Sequence, residues 1–342
     1  MGLSNYFQKL WYEKQKPPSL LMPLEKLYRY VSNRRHQRFI SNPQRVYSPK
    51  APVIVVGNIT VGGTGKTPLT LFLIEKLAAK GLKIGVVSRG YGGKATNYPI
   101  DVSVSSLAVH CGDEPLMIHL RTGVPVIVDP NRVAAARYLE SNYSVDIIIS
   151  DDGLQHHPLG RTIEIVVMDA KRGVGNGRCL PAGPLREPVS RLSSVDFLIV
   201  NGSLQSNALA SVVSDQAISA HKYGMQLDVS NMVPLDSSVE TVKAGLGEAV
   251  HGVAGIGNPQ RFFDTLEALG YQVHMHPFPD HYDFKIEDFN SMTDLPVVMT
   301  EKDAVKVRTL AVPGAFYLEV SANIDEQFID DILCKLNISS GA

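Results

Sequence analysis

The chain has 342 residues, 44% of them hydrophobic, and a formal net charge of −1. That is enough apolar mass for about two domains, and it lacks the overall basic excess that draws a protein to nucleic acid, so no nucleic-acid partner is expected. Cys111, Cys179 and Cys334 are odd in number, widely spaced and in no C-x-x-C pair, which argues against a disulfide framework or a zinc site and favours a reducing compartment; with no apolar run near the ~18 residues of a membrane span and no signal-peptide pattern, any membrane contact is expected to be peripheral.

Basic charge is concentrated at the start. Residues 1–50 hold ten Lys and Arg against Glu13 and Glu25, a balance of +8 that leaves −9 for the remainder. Leu3, Tyr6, Phe7, Leu10 and Trp11 recur at three- and four-residue spacing beside Lys9 and Lys14. After Pro17-Pro18, Leu20, Leu21, Leu24, Leu27, Tyr28 and Val31 accompany Lys26, Arg29, Arg34 and Arg35. An apolar stripe bordered by cations, carrying the chain's only Trp, is expected of helices lying in a lipid headgroup region. Packing of the same helices on the main domain is the competing reading, and both can hold for different faces.

The next element carries the strongest chemical signal. Val53 to Val56 is a β-branched run that reads as a buried parallel strand, and Leu69, Phe72, Leu73 and Leu77 mark a helix over 69–80. Between them runs Gly57-Asn58-Ile59-Thr60-Val61-Gly62-Gly63-Thr64-Gly65-Lys66-Thr67-Pro68. Strand, glycine turn and helix in that order form a phosphate-binding loop: backbone N–H groups converge on phosphate oxygens where bulky Cβ atoms are missing. The lysine reaches the β- and γ-phosphates and the threonine hydroxyl ligates Mg²⁺. Thr60 through Thr67 are therefore the expected nucleotide-binding residues, although Thr60 stands where the pattern has its first glycine.

Further apolar strands are expected at 83–88, 124–128, 146–150, 164–168 and 196–200, with crossover helices such as 132–140, which implies a mainly parallel sheet covered on both faces. Polar residues follow the strand ends, where such sheets bind ligands: Arg89, Asp129, Asp151-Asp152 and Asp169. Two adjacent carboxylates repel, so Asp151 and Asp152 make most sense beside a cation. Residues 203–246 turn Ser-, Asn- and Val-rich, a transition to a second unit. There a strand at 249–256, a helix at 260–269, strands at 271–276 and 296–300, a helix from 302, a strand at 316–320 and a last helix at 325–336 form a smaller α/β domain.

Two clusters remain. Gly112-Asp113-Glu114-Pro115 reads from spacing alone as a helix start with Asp113 as N-cap, and Pro279-Asp280-His281-Tyr282-Asp283-Phe284 puts a histidine between acids in a loop, where it can supply or support a general base. The Pro-rich run 180–188 carries Arg186 and Glu187, suited to holding a phosphate or a metal-bound water.

Taken together and in order, these clusters resemble the tetraacyldisaccharide 4'-kinase family, the ATP-dependent lipid A 4'-kinases of Gram-negative bacteria. Eight segments carry the resemblance: 56–68, Ser88-Arg89-Gly90-Tyr91-Gly92, Gly112 to Pro115, Asp151-Asp152-Gly153-Leu154-Gln155-His156, Leu180 to Arg186, Gly255 to Phe263, Phe278-Pro279-Asp280-His281 and Thr300-Glu301-Lys302-Asp303-Ala304-Val305-Lys306. Thr60 in place of the first glycine also resembles the family's own form of the loop. The resemblance implies a P-loop NTPase-type α/β fold: an N-terminal membrane-associating helical segment (1–40), a P-loop kinase domain (41–222) and a smaller α/β domain (223–342) joined through two strands near 223–229 and 316–320. It implies transfer of the ATP γ-phosphoryl group to the 4'-hydroxyl of an acylated glucosamine disaccharide 1-phosphate at the cytoplasmic face of the inner membrane, against an anionic lipid surface.

Carried over by position, Asp113 is the general base and His281 its partner across the cleft, with Lys66 completing the catalytic set. Thr67, Glu114, Asp151 and Asp152 bear on Mg²⁺, and Asn58, Arg89, Gln155, His156, Arg186 and Glu187 on substrate or phosphate. The alternative reading is a P-loop GTPase or metallochaperone switch at the membrane. Thr300 to Asp303 has the ingredients of a guanine-reading element in the wrong spacing, and a membrane-binding module with a merely structural nucleotide site is the third possibility.

Overall fold

A computed structural model describes residues 3–13, 16–204, 219–236, 242–243 and 248–338. Lys14 of the N-terminal stripe and half of the Ser- and Asn-rich transition lie outside the described residues. The described strands are, in chain order, β1 (Val53–Gly57), β2 (Ile84–Ser88), β3 (Ile100–Asp101), β4 (Val126–Val128), β5 (Ile147–Asp151), β6 (Ile163–Asp169), β7 (Phe197–Asn201), β8 (His221–Pro234), β9 (Val242–Lys243), β10 (Ala249–Ala254), β11 (Gln272–Pro277), β12 (Val297–Thr300) and β13 (Ala315–Ile324).

The chain forms two compact units. Unit 1 comprises Met1–Val87, Asn131–Gln226 and Asn323–Ala342; unit 2 comprises Ser88–Pro130 and Leu227–Ala322. Residues 88–130, expected in the kinase domain of 41–222, thus pack with the later segment. The reason is visible in the helix Asp113–Thr122, whose Arg121 donates to Glu301 Oε2 at 2.8 Å, to Val320 O at 3.0 Å and to Ser321 Oγ at 2.8 Å.

In unit 1 the strands run β2-β5-β1-β6-β7-β8, all parallel. Every residue of β1, β5, β6 and β7 is buried, as the unbroken apolar runs require when both faces are covered. The helix Lys66–Ala79 buries Leu69 to Ile74 and Leu77. Registers Val56↔Asp151 and Asp169↔Asn201 bring the carboxyl ends of these strands together, where open α/β sheets bind their ligands.

The N-terminal helices Leu3–Tyr12 and Leu21–Ile40 present two different faces. Leu10 is buried, and Trp11 Nε1 donates to Pro181 O at 3.1 Å. Glu25 accepts from Arg178 Nη1 and Cys179 N, each at 3.1 Å, and Tyr28 Oη donates to Arg186 O at 3.0 Å. Trp11 and Tyr28, for which the sequence left lipid contact and packing on the domain both open, are therefore held on the protein. Leu20, Leu24, Leu27 and Val31, spaced four, three and four residues apart, remain exposed together with Tyr30.

In unit 2, β11-β10-β12-β13 are parallel, β13 neighbours β8, and β3 pairs antiparallel with β4. Alternate residues feed two cores: Val253, Val297 and Met299 meet Phe284 and Phe289 on one side, while Val250, Ala254 and Val298 meet Phe263 and Leu266 of the helix Pro259–Ala268 on the other. The period of two along each strand is what divides them.

Candidate active site

After β1 the chain turns through Asn58–Gly65 into the helix Lys66–Ala79. Gly65 sits at φ +100°, and a Cβ there would lie 2.7 Å from Asn201 Nδ2 and 2.9 Å from Met225 Cε, so only glycine serves. Two amides brace the loop. Asn58 Nδ2 donates to Gly62 O and Thr64 Oγ1, both at 3.3 Å, and Asn201 Nδ2 donates to Thr64 O at 3.0 Å. Lys66 and Thr67 occupy the first helical turn, where unsatisfied N–H groups and the helix dipole favour an anion. Pro68 follows in the same turn, where its missing N–H costs nothing.

Beside the loop lies a cation–carboxylate group. Asp152 accepts from Arg186 Nη1 at 2.9 Å and stands 3.6 Å from Lys66 Nζ, while Arg132 Nη2 donates to the Asp152 carbonyl at 2.7 Å. Burial alone would raise the Asp152 pKa, but Lys66, Arg186 and Arg132 outweigh it and hold the carboxyl below its ordinary value. Asp152 is also in the left-handed region at φ 44°, a conformation these contacts maintain. Arg186 reaches Asn58 Oδ1 at 3.0 Å, its N–H donates to Ile59 O at 2.7 Å, and Val61 N donates to Pro184 O at 2.9 Å. The Pro-rich run thus lies along the phosphate loop. Gln155 Nε2 donates to Glu187 Oε1 at 2.6 Å and to Asn58 O at 3.2 Å, and Arg191 Nε pairs with Glu187 at 3.2 Å. Gln155 and Glu187 are therefore braces of the loop's base. Asp151, buried at the end of β5, is the register partner of Val56.

Unit 2 holds a pair of a different kind. His281 Nδ1 and Asp113 Oδ2 are 2.9 Å apart, although the residues are 168 positions apart in sequence. Asp113 is buried and is the first residue of its helix; Gly112 takes the cap position, at φ +91°, with a Cβ that would lie 2.9 Å from Tyr91 O. The N-cap reading of Asp113 is thereby corrected: glycine turns the chain, and the carboxylate is left to meet the histidine. His281 sits at φ 58° in the loop after β11, its ring centroid 5.1 Å from that of Tyr91. A strained backbone and a ring contact fix where the imidazole stands. Both residues belong to unit 2, so the pair expected across a cleft is an internal contact of one unit.

Comparison with known proteins decides the family. A family model described as tetraacyldisaccharide-1-P 4'-kinase matches residues 18–337. The chain belongs to that family. It is 48% identical over 340 residues to the tetraacyldisaccharide 4'-kinase of Stutzerimonas stutzeri A1501, covering 98% of each chain. To the enzyme of that name from Pseudomonas fluorescens SBW25 it is 48% identical over 331 residues, covering 96% of this chain and 95% of the other. A crystal structure of LpxK from Aquifex aeolicus in complex with ATP superposes with TM-score 0.79 at 26% identity, covering 94% of this chain and 99% of that one. The resemblance drawn from eight sequence segments is borne out, and the protein is a kinase of the tetraacyldisaccharide 4'-kinase family.

The GTPase reading loses its one residue-level hint as well. Asp303 is fully buried, accepts from Gly255 N at 2.9 Å and Thr300 Oγ1 at 2.6 Å, and pairs with Lys306 at 2.7 Å. Its carboxylate braces Thr300, the cap of the helix Glu301–Val307, and is not free for a base. Among the other residues singled out from sequence, Thr60 is buried and bridges to Leu185, and His156 gives its carbonyl to Arg161 Nη2 at 2.7 Å. Arg89 is exposed in unit 2, and Glu114 pairs with Lys302 at 3.3 Å. In this kinase Asn201, Arg132, Tyr91 and Lys302 took no role in the sequence reading. Asn201 was findable, since it directly follows the apolar run Phe197 to Val200, at a strand's carboxyl end.

The donor set near the loop fits magnesium. Thr67 offers a hydroxyl, and Asp151 and Asp152 offer carboxylates, all hard oxygen donors. Among the described residues no three His, Cys, Asp or Glu side chains converge as a metal cage, and Mg²⁺ needs none, because it takes one or two carboxylates together with substrate phosphates and water.

Proposed function

We propose that this kinase transfers the γ-phosphoryl group of ATP to the 4'-hydroxyl of a tetraacylated glucosamine disaccharide 1-phosphate, at the cytoplasmic face of the inner membrane. The observation that carries the catalytic assignment is the buried Asp113 carboxylate hydrogen-bonded to His281 at 2.9 Å, in a chain that also holds a phosphate loop ending in Lys66 and Thr67.

The loop amides and Lys66 hold the β- and γ-phosphates, and Lys66 and Arg186, already cationic partners of Asp152, supply the charge that the triphosphate needs. Thr67, Asp151 and Asp152 would hold Mg²⁺, which would supply charge neutralisation at the phosphate oxygens. Asp113 accepts the proton of the sugar hydroxyl as the new O–P bond forms and the bond to the ADP oxygen breaks. His281 orients the carboxylate and offsets its charge. Phosphoryl transfer asks the protein mainly for position and charge neutralisation, with a base for the hydroxyl proton.

No described helix is long and apolar enough to cross a membrane, and the acyl chains of such a substrate stay in a bilayer. The exposed row Leu20, Leu24, Leu27 and Val31, with Lys26, Arg34, Arg35 and Arg38 exposed around it, supports docking on an anionic lipid surface. The test is ATP labelled at the γ-phosphate, offered with a monophosphorylated tetraacyl disaccharide in mixed micelles. Label is expected in the lipid with ATP and not with GTP; an unlabelled lipid contradicts the proposal.

A further inference from the structure

One residue beyond Asp113, the same unit makes a second polar contact that the chemistry above leaves unused. Lys302 Nζ stands 3.3 Å from Glu114 Oε1, with both side chains more than half buried. Burial alone would lower the Lys302 pKa, but Glu114, Asp280 and Asp113 outweigh it and raise it, so the side chain is a firm cation.

The element bearing Lys302 is rigid at its start. In the helix Glu301–Val307, Thr300 Oγ1 accepts from Asp303 N at 3.1 Å and donates to Asp303 Oδ2 at 2.6 Å, while Gly255 N donates to the same oxygen at 2.9 Å. Glu301 in turn pairs with Arg121 at 2.8 Å, near the far end of the helix that begins at Asp113. The segment Thr300–Lys302 therefore grips the helix Asp113–Thr122 at two points, Lys302 on its first turn and Glu301 on its last.

We propose that Lys302 is a positioning residue for Asp113: together with Glu301–Arg121 it clamps the helix that presents the carboxylate, and Glu114 serves as the handle of that clamp in place of the magnesium role its sequence position suggested. The inference rests on the kinase reading above. With His281 holding Asp113 and Lys302 holding Glu114, the first helical turn is fixed at two successive residues. A reacting group displaced by about 1 Å loses on the order of 10²-fold in rate, far more than a partly exposed ion pair contributes to stability.

The test uses the full-length enzyme with Lys302→Met, Lys302→Arg, Glu114→Gln and the double variant K302M/E114Q. Lys302→Met is expected to lower kcat by about 10- to 100-fold with the KM for ATP unchanged, Lys302→Arg to restore most of the loss, and the double variant to be no worse than either single change. Glu114→Gln should leave the Mg²⁺ concentration for half-maximal rate unchanged. A wild-type kcat in Lys302→Met, a Lys302→Arg as impaired as Lys302→Met, additive losses in the double variant, or a shifted Mg²⁺ requirement in Glu114→Gln would each overturn the clamp. Should Lys302→Met fail to fold, Glu114→Gln and Lys302→Arg carry the test. An inactive wild type overturns the kinase proposal, whereas an active wild type with an unimpaired Lys302→Met overturns the clamp alone.

Discussion

The phosphate loop of unit 1 and the Asp113–His281 pair of unit 2 are made by opposite means. The loop is one contiguous stretch whose working groups are backbone amides, braced by Asn58 and Asn201 and flanked by Lys66, Arg186 and Arg132. The pair consists of two side chains 168 positions apart, held by a left-handed histidine, a glycine turn and the ring of Tyr91. A site made of backbone and shared cations spreads its function over many atoms. A site made of one carboxylate and one imidazole would concentrate it, so single substitutions there are expected to act without touching nucleotide affinity.

The variants that probe this contrast differ in size of effect. Lys66→Met removes the cation on the first turn of the helix that follows the loop and is expected to cost about 10³-fold in kcat and to raise the KM for ATP; an unchanged KM would mean that Lys66 does not hold the phosphates. His281→Ala should lower kcat about 10²-fold while ATP affinity, read by calorimetry, stays at the wild-type value. Weakened ATP binding would erase the contrast by moving His281 to the nucleotide.

Glu164 lies in neither site and measures stability alone. Arg191 Nη2 and Arg161 Nη1 both donate to it, the latter at 2.6 Å. Burial alone would raise its pKa, but the two guanidinium groups hold it below its ordinary value. Its contribution is therefore present above the unfolded carboxylate value of about 4.3 and lost as pH falls through the depressed folded value. Glu164→Gln is expected to cost about 3 kcal/mol at pH 7 and to flatten the fall in urea stability between pH 5 and pH 3, with ATP affinity unchanged; a fall as steep as in the wild type would contradict the assignment. Leu24→Asp, on the outer face of the second helix, should have the smallest effect on the enzyme itself. Sedimentation with anionic vesicles should drop several-fold with no change in ATP binding, and full vesicle binding would count against that face as the docking surface.

Much of unit 1 was legible because its strands are buried on both faces. The runs at 53–56, 146–150, 164–168 and 196–200 reappear as β1, β5, β6 and β7 within a residue or two. β3 was missed, since two residues of antiparallel strand leave no periodic trace. β8 was expected only through the family resemblance, as a strand near 223–229, because its fourteen residues mix Lys, Asn, Ser and Gly with apolar positions and leave no clear period. Spacing alone could not pair Asp113 with His281, and it misread Asp113 as a cap, because the deciding feature is the backbone at Gly112. The family resemblance supplied the pairing. Helical periodicity left Trp11 open between lipid and protein, because it records which residues share a side, and not whether protein or solvent covers it; its hydrogen bond to Pro181 O places it on the protein.

The account rests most on Asp113, and Asp113→Asn tests it most directly, since the amide keeps the shape and removes the base. Single-turnover transfer from labelled ATP is expected to fall by about 10³-fold while calorimetry gives the wild-type affinity for ATP. Transfer at close to the wild-type rate would contradict the account.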